Sequence, residues 1–471
     1  MTPNVDKSKL VLVHDASDLI KDIPLETKEI GYYRDSWNRF KKNKASLTAF
    51  VIICLILFFI IFGPYMKSYT LPQRDEINAR RLAYLPPRIP LLEKMGIFDG
   101  TKKVTRGKRF LIAMEQSEYG EGIIKSGLPQ ELIDNPDHPD YADINSFTVT
   151  VDFYRYTNYI MSYMPEAYFG IIDSNEKTGR NDDPLGGVRR TLTQEQFENA
   201  LKNNYIIDIL RIIRTVDPND STKVYYQYEV RMDQFKLSLD QEAEHTYFWF
   251  GTNELGRDLF TELWKGGRIS LLMALSVLIV NTIIGLTIGS IVGYYGGILD
   301  LIFDRFVEIV SSIPFLSVLT LLTIRYGTAL WVIILAFTAT GWISPYYTGR
   351  MQFYRFKNRE YVLAARTLGA SDARIMFKHI FPNTLGYIVT GYALAIPAFV
   401  FTEASYSFLG IISYSNATSV GMLIERGQAL MQVHAHLLIF PALYIAILMI
   451  AFNLFGNGLR DAFNPSLRGA E

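Results

Sequence analysis

Two carboxylic acids within apolar stretches are the first candidates for chemistry. Glu308 and Glu403 each stand in a run of mostly apolar residues that is long enough for a membrane helix. An ionisable group inside a membrane is costly to desolvate, so such groups commonly line a path for polar solutes or bond to a neighbouring helix or subunit. The sequence leaves two uses open for these residues. One is a place on a solute path or at a subunit interface, and the other is a structural bond between helices.

Two other patterns resemble ligand sites but lack essential parts. His434 and His436 could bind a metal, but no cysteine or carboxylate cluster stands near them. We therefore expect them to anchor the outer end of a membrane segment. Residues 100–109 resemble a phosphate-binding loop, yet their glycines are too far apart and an arginine stands where serine or threonine is needed. We predict no metal site, no cofactor site and no catalytic residue, so the chain is not expected to be an enzyme.

The apolar residues are concentrated in separate segments. Hydrophobic residues make up 49% of the 471 residues, the formal net charge is zero, and the mean hydropathy is only slightly positive. About 20 apolar residues in a helix cross a bilayer. Such runs cover residues 47–66, 268–293, 301–324, 328–349, 382–409 and 434–456. The sequence therefore predicts an all-α polytopic membrane protein with six transmembrane helices.

Basic residues indicate which ends of these helices face the cytoplasm. Four of them directly precede the first apolar run: Arg39, Lys41, Lys42 and Lys44. The loop 350–381 carries seven lysines or arginines, counted with Arg350, and two acids. By the positive-inside rule, both regions are cytoplasmic. Residues 1–46 are then a cytoplasmic N-terminal segment, six spans place both termini inside, and residues 67–248 lie outside.

Residues 67–248, named the insertion from here on, form a polar block between the first and second spans. Alternating apolar residues at 147–156 and 223–230 predict half-buried strands, and residues 193–201 predict a helix. We expect a small α+β extracellular domain. The insertion has no basic stripe of the kind that binds nucleic acid. The only cysteine of the chain, Cys54, falls in the first apolar run, which excludes a disulfide framework.

The cytoplasmic loop contains a short helix with features of a docking surface. Ala364 and Ala365 have almost no side chain, so their helix can bring its backbone close to a partner. Gly369 can adopt the left-handed conformation that ends a helix. Ser371 and Asp372 then read as the start of the next helix. A basic linker between membrane helices could share this composition, so the loop alone does not decide its role.

Five stretches in order carry a family resemblance. Residues 360–370 resemble the cytoplasmic coupling loop of an ABC-importer permease. The other four are residues 251–258, 293–297, 403–410 and 453–465. Together they resemble permeases of the oligopeptide, dipeptide and nickel transporter family, specifically the C-type transmembrane subunit. The signature residues before the second span are Gly251, Thr252, Gly256, Arg257 and Asp258.

The resemblance implies a type I ABC-importer permease core in residues 249–471, with five of the spans and the coupling loop. It implies a subunit that forms half of the translocation pathway of an oligopeptide importer in the cell membrane. The residues implied to contact an ATPase are Glu360, Tyr361, Ala364, Ala365, Gly369 and Ala370. The implied partners are a B-type permease, two cytoplasmic ABC ATPases that hold ATP and magnesium, an extracellular peptide-binding lipoprotein and membrane lipid, with no nucleic acid.

Two departures and two alternatives accompany this interpretation. Asn253, Asn457 and Asn464 stand where the resemblance implies aspartate, and Leu363 stands where it implies glutamate. We therefore expect no ion pair to the ATPase at Leu363, and Glu360 can supply the contact from one helical turn earlier. The cargo could also be dipeptides, nickel or another small solute. A different class of protein, a membrane-anchored receptor or scaffold acting through the insertion, would not need a docking helix.

Overall fold

The structure is mostly helical. It is a computed structural model that describes residues 32–66, 80–136, 138–163, 189–217, 220–414 and 417–463. Its helices are α1 (Tyr32–Lys42), α2 (Lys44–Phe62), α3 (Pro90–Glu93), α4 (Lys108–Glu115), α5 (Gln130–Asp134), α6 (Phe153–Asn158), α7 (Gln194–Lys202), α8 (Gln234–Leu239), α9 (Leu259–Tyr295), α10 (Gly297–Ser311), α11 (Phe315–Tyr326), α12 (Leu330–Gly341), α13 (Ile343–Phe356), α14 (Glu360–Thr367), α15 (Asp372–Arg374), α16 (Phe381–Phe408), α17 (Val420–Ala429) and α18 (His436–Phe463).

Four helical segments are long and apolar enough to cross a membrane by themselves. They are Lys44–Tyr65, Leu259–Tyr295, Asp372–Phe408 and His436–Phe463. Two further pairs of helices pass the same test together but are bent, α10 with α11 by 69° and α12 with α13 by 40°. The described residues therefore contain four such helices, or up to six if each bent pair is one span.

Several predicted span boundaries differ from the structure. Helix α9 begins at Leu259, nine residues before the predicted start at 268, because the Asp258 side chain caps it there. The segment before α16 is helical from Asp372, since a π-helical turn at Ile375–Ile380 joins α15 to α16. The predicted span 301–324 is interrupted before Pro314, whose ring and missing N–H end a regular helix.

Three glycines allow α9 and α13 to pack backbone against backbone. A Cβ atom on Gly285 would lie 2.3 Å from the Trp342 carbonyl oxygen, and one on Gly289 would lie 2.1 Å from the Tyr346 carbonyl oxygen. A Cβ on Gly293 would lie 2.4 Å from the Arg350 carbonyl oxygen. Small residues four apart are the usual means of close helix contact in membranes.

An arginine ties the end of α2 to α9. The Arg268 guanidinium donates hydrogen bonds to the carbonyl oxygen of Ile60 at 3.0 and 3.2 Å and to that of Ile61 at 3.0 Å. These carbonyls belong to the last turn of α2, where helical donors are missing and the helix dipole is negative. Arg268 thereby satisfies that helix end and fixes α2 against α9.

Two three-stranded antiparallel sheets contain the strands that the structure describes in the insertion. Strands β1 (Thr101–Gly107), β3 (Ser146–Asp152) and β2 (Ile124–Ser126) form the first, in that order. Strands β4 (Arg189–Thr193), β6 (Asp220–Met232) and β5 (Ile206–Asp217) form the second. Each sheet has its own apolar cluster with a neighbouring helix. Residues 67–79 and 164–188 of the insertion lie outside the described residues.

One strand and one helix predicted within the insertion agree with the structure, and a second predicted strand is shorter than expected. Strand β6 contains the predicted strand 223–230, and the Thr193 side chain caps α7 in a capping box. The strand predicted for 147–156 ends earlier, at Asp152. The Asp152 carboxylate accepts hydrogen bonds from the backbone N–H groups of Tyr154 and Arg155, which starts helix α6 there.

Candidate functional site

Helix α14 has one buried and one exposed face. Val362 is fully buried, whereas the Leu363 side chain is 44% exposed and that of Leu368, just past the helix end, is 87% exposed. The two small residues divide between the faces. Ala364 is exposed, whereas Ala365 packs against the apolar cluster beneath the helix. An exposed strip of apolar and small side chains therefore runs along α14.

Gly369 ends this helix in the geometry that the sequence predicts. Its φ is +81°, its N–H bonds to the Arg366 carbonyl at 3.0 Å, and the Ala370 N–H bonds to the Ala365 carbonyl at 3.0 Å. These two bonds are those of a Schellman motif. The Ser371 side chain then caps α15, so the chain reverses within three residues.

Tyr294 braces α14 against two membrane helices. The Tyr294 hydroxyl, in the last turn of α9, donates to Asp372 Oδ1 at 2.6 Å. It accepts a hydrogen bond from Arg366 Nη2 at 3.0 Å. The Lys357 ammonium, just before α14, donates to the carbonyl oxygens of Gly293 and Tyr294 at 3.0 and 3.3 Å. The short helix, the end of α9 and the start of the helix leading into α16 are thus one bonded unit.

The predicted coupling residues lie in one place. Glu360, Tyr361, Ala364 and Gly369 are exposed, and Ala370 is half-buried beside Ala365. Beneath them is an apolar cluster between the ends of α9 and α13, helix α14 and the π-helical turn before α16. Its buried members are Tyr294, Phe353, Val362, Ile375, Met376 and Ile380. The arrangement can transmit a displacement of α14 to α9 and α16, because the cluster and the Tyr294 bonds connect them.

The signature before α9 forms a tight turn that anchors the start of this helix. Thr252 is fully buried, and its hydroxyl donates to the Leu82 carbonyl at 2.5 Å and accepts from the Leu85 N–H at 2.8 Å. Gly251 and Gly256 have φ of +78° and +72°. The five signature residues therefore act in the structure as an anchor between the insertion and α9, with Arg257 exposed.

Asn253 stands where the resemblance implies an aspartate, and its amide oxygen holds the turn. Its Oδ1 accepts hydrogen bonds from the backbone N–H groups of Leu255 and Arg257 at 3.0 and 2.9 Å. Asp258 Oδ2 accepts from the N–H and the hydroxyl of Thr261 at 3.2 and 2.7 Å, which caps α9. The amide oxygen serves here as the carboxylate would, because acceptance alone is required.

Comparison with known proteins identifies the family. The family described as "Binding-protein-dependent transport system inner membrane component" matches residues 285–469, and "N-terminal TM domain of oligopeptide transport permease C" matches residues 31–87. The chain is 35% identical over 312 residues to the dipeptide transport system permease protein DppC of Bacillus subtilis, covering 65% of this chain and 94% of the relative. This chain belongs to the family of binding-protein-dependent transport permeases. The resemblance read from the sequence is confirmed.

Other members of the family agree. The oligopeptide transport system permease protein OppC of Bacillus subtilis is 41% identical over 220 residues, which are 47% of this chain and 72% of the relative. OppC of Haemophilus influenzae is 39% identical over 222 residues, which are 47% and 71%. Among solved structures, an inward-facing MetNI methionine ABC transporter is 19% identical with a TM-score of 0.36, over 43% of this chain and 96% of that one. The mostly helical, polytopic fold expected of a type I ABC-importer permease is confirmed by the family.

Glu403 is a fully buried hydrogen-bond acceptor within this permease. Its Oε2 accepts from the Ser270 hydroxyl at 3.0 Å, and its Oε1 accepts from the hydroxyls of Ser407 and Tyr414, both at 3.1 Å. These donors come from α9, α16 and the segment before α17. Of the two uses that the sequence left open, the contacts within this chain favour a structural bond between helices.

Glu308 has the opposite environment. Its side chain is 64% exposed and its Oε2 lies 2.5 Å from Nη1 of Arg305, one turn earlier on α10. An exposed charged pair on a permease helix faces either a partner subunit or an aqueous path, since lipid would not solvate it. Glu308 therefore remains a candidate for the translocation path or the subunit interface.

The two histidines contact the insertion. The His434 ring stacks on Tyr84 at 4.3 Å between centroids, and its Nδ1 lies 3.5 Å from the Lys102 ammonium. His436 Nε2 lies 3.4 Å from the Thr252 carbonyl oxygen. The described ranges contain no group of three or more potential metal ligands, with or without this pair.

Sequence reasoning missed two sets of functional residues. The role of the glycines at 285, 289 and 293 could have been predicted from their four-residue spacing, which is a known pattern of close helix packing in membranes. The Tyr294–Asp372 bond had no comparable signal, because the two residues are 78 positions apart. Residues 293–297 are one of the five stretches that carry the family resemblance. In the structure, Gly293 of this stretch serves helix packing, and Tyr294 bonds to Arg366 and Asp372.

Proposed function

We propose that this permease is a subunit of an ATP-driven oligopeptide importer and forms half of its translocation pathway. The observation that carries the proposal is α14, a short helix with an exposed apolar strip that is braced against α9 and α16. The cargo class comes from the relatives, which are permeases of oligopeptide and dipeptide transport systems.

The proposed partners follow from the same family. A B-type permease supplies the other half of the pathway, two cytoplasmic ABC ATPases hold ATP and magnesium, and an extracellular lipoprotein delivers the peptide. This chain itself takes no cofactor. The contact to the ATPase involves Glu360, Tyr361, Ala364, Ala365, Gly369 and Ala370, with the exposed Leu363 and Leu368 side chains as apolar contacts in place of an ion pair.

The proposed mechanism is alternating access driven through α14. Closure of the ATPase dimer displaces α14. Because the Tyr294 hydroxyl bonds to both Arg366 and Asp372, the displacement moves the end of α9 and the start of α16 together. The permease then opens its cavity outward and receives peptide from the binding protein.

The proposed topology has six spans in the cell membrane, with both termini in the cytoplasm. Residues 1–46 are a cytoplasmic segment, 47–66 the first span, 67–248 an extracellular domain and 249–471 the permease core. The basic residues around α14 support this orientation. The extracellular domain is proposed to dock or guide the binding protein. Its anchor, the buried Thr252 turn, lies at the start of α9 and beside the start of α18.

Site-specific photo-crosslinking tests the ATPase contact. A photoreactive phenylalanine analogue at Leu368 in the assembled complex is expected to give an adduct of this chain with an ATPase, because that side chain is 87% exposed beside α14. Ile324 is the matched control, since it is 79% exposed on α11 near the opposite end of the spans. An ATPase adduct from Ile324, or none from Leu368 in an assembled complex, would contradict the proposed coupling site.

Two alternatives predict other results. A permease for dipeptides, nickel or another small solute would give the same adduct but a different cargo, because coupling and cargo depend on different parts of the fold. A membrane-anchored receptor or scaffold would give no adduct, because it needs no ATPase.

A further inference from the structure

A groove of about 780 Å³ lies where both bent helix pairs change direction. Its walls are the break between α10 and α11 and the break between α12 and α13. Phe315 and Phe337, from the two sides, pack with their ring centroids 4.7 Å apart. The volume is within the usual range of ligand pockets, which is roughly 300 to 1,000 Å³.

The two breaks lie the same number of residues from the turn that joins the two bent pairs. Helices α11 and α12 each have 12 residues and meet at the short turn 327–329. At the helical rise per residue each is about 18 Å long. A hydrocarbon core is about 30 Å thick, so a bent pair that crosses it as one span has its break inside the core. Irregular backbone at this depth is tolerated only inside protein or beside a water-filled cavity.

The groove wall combines apolar side chains with hydroxyl groups, and none of its lining residues carries a carboxylate, ammonium or guanidinium group. Its hydroxyl residues are Ser311, Thr340, Ser344, Tyr347 and Thr348. The hydroxyls of Ser311 and Thr348 donate to carbonyl oxygens of their own helices at 2.8 and 3.1 Å. Their oxygen lone pairs can accept from a ligand N–H. Gly341 also lines the groove, and its carbonyl has no helical donor at Pro345, which lacks an N–H.

We propose that this groove is the peptide-contacting section of the translocation path in this chain. It takes extended peptide backbone through neutral hydroxyl and carbonyl groups, which match backbone N–H and C=O groups whatever the side chains. An ionised wall would favour peptides of one charge, whereas this wall does not select for charge. The inference deepens the proposed import function and depends on it.

Thiol labelling tests the position of the groove. Ser344→Cys in a Cys54→Ser background is compared with the unsubstituted chain, whose Cys54 is exposed in the middle of α2. The assembled complex, in liposomes with ATP and peptide-loaded binding protein, is treated with a charged, water-soluble thiosulfonate. Ser344→Cys is expected to react roughly tenfold faster than Cys54, because the reactive thiolate forms in water and not in lipid. Excess peptide is expected to slow the reaction.

Two outcomes separate this inference from the function on which it depends. Peptide uptake by the unsubstituted complex, with Ser344→Cys no more reactive than Cys54, would overturn the groove assignment alone. If the unsubstituted complex takes up no peptide, the proposed function itself fails.

A charge placed in the groove tests its lack of charge selection. Thr348→Asp is expected to lower the uptake of an acidic peptide about tenfold relative to a lysine-rich one, because like charges repel more strongly away from bulk water. Uptake of the lysine-rich peptide is the internal control for folding and assembly. An equal loss for acidic, neutral and basic peptides would contradict direct contact between this position and the cargo.

Discussion

Gly289→Leu is expected to prevent stable packing of the permease core. A Cβ at this position would lie 2.1 Å from the Tyr346 carbonyl oxygen and 3.0 Å from the Arg350 backbone nitrogen. Both are backbone atoms of α13, so a rotamer change cannot relieve the clash. Arg350 of α13 also pairs with Asp300 of α10, the helix that follows α9, with Nε 2.6 Å from Oδ1, so a displacement of α13 would strain this ion pair as well. We expect a loss of about 3 kcal/mol in the free energy of unfolding.

Gly391→Leu is the matched control for this substitution. Gly391 is also a glycine within a long membrane helix, α16, but outside its own helical turns no heavy atom lies within 4 Å of a Cβ built there. The measurement is the midpoint of thermal unfolding of each purified chain in detergent. Gly289→Leu is expected to lower the midpoint by on the order of 10 °C or to abolish expression, with Gly391→Leu near the unsubstituted value. Equal midpoints for the two variants would show that close packing at Gly289 is not required.

Gly369→Pro is expected to uncouple the ATPase from the permease. Proline fixes φ near −65°, whereas Gly369 has φ of +81°, and it removes the N–H that bonds to the Arg366 carbonyl. The end of α14 would change direction and Arg366 would move away from Tyr294. We expect a fall of roughly tenfold or more in peptide-stimulated ATP hydrolysis by the assembled complex, which corresponds to about 1.4 kcal/mol of lost coupling.

Gly410→Pro is a control with nearly the same local geometry. Gly410 has φ of +69°, and its N–H bonds to the Ser407 carbonyl at 2.9 Å. The residues before the two glycines, Leu368 and Leu409, have φ of −78° and ψ of 4° and 2°. Gly410 ends α16 at its other end, far along the chain from α14. If Gly410→Pro lowers stimulated hydrolysis as much as Gly369→Pro, the effect is general destabilisation and the coupling role is wrong.

Local patterns were sufficient to predict much of this fold. The left-handed Gly369 and the Ser371 cap depend on neighbouring residues only, and the structure has both. Each of the four helical segments that could cross a membrane alone overlaps a predicted apolar run, because about 20 apolar residues have few other stable environments. The start of α9 was placed too late, since its first nine residues are helical through the Asp258 cap and not through hydropathy.

Contacts between distant residues could not be predicted in the same way. Glu403 was recognised as a costly buried acid, but its donors Ser270 and Tyr414 lie 133 and 11 positions away. No local rule distinguishes such a bond from a place on the solute path. The groove between the two bent helix pairs could not be predicted from the sequence either. Each bend depends on local residues, but the groove depends on how the two bends align in space.

The most direct test of the central claim is transport by the reconstituted complex. Liposomes containing this permease, its B-type partner and the two ATPases are loaded with ATP and mixed with binding protein and a labelled oligopeptide, or with labelled nickel. We predict accumulation of the oligopeptide inside that requires ATP and is lost with Gly369→Pro, and no accumulation of nickel. An assembled complex that accumulates nickel and no peptide, or neither cargo, would contradict the account.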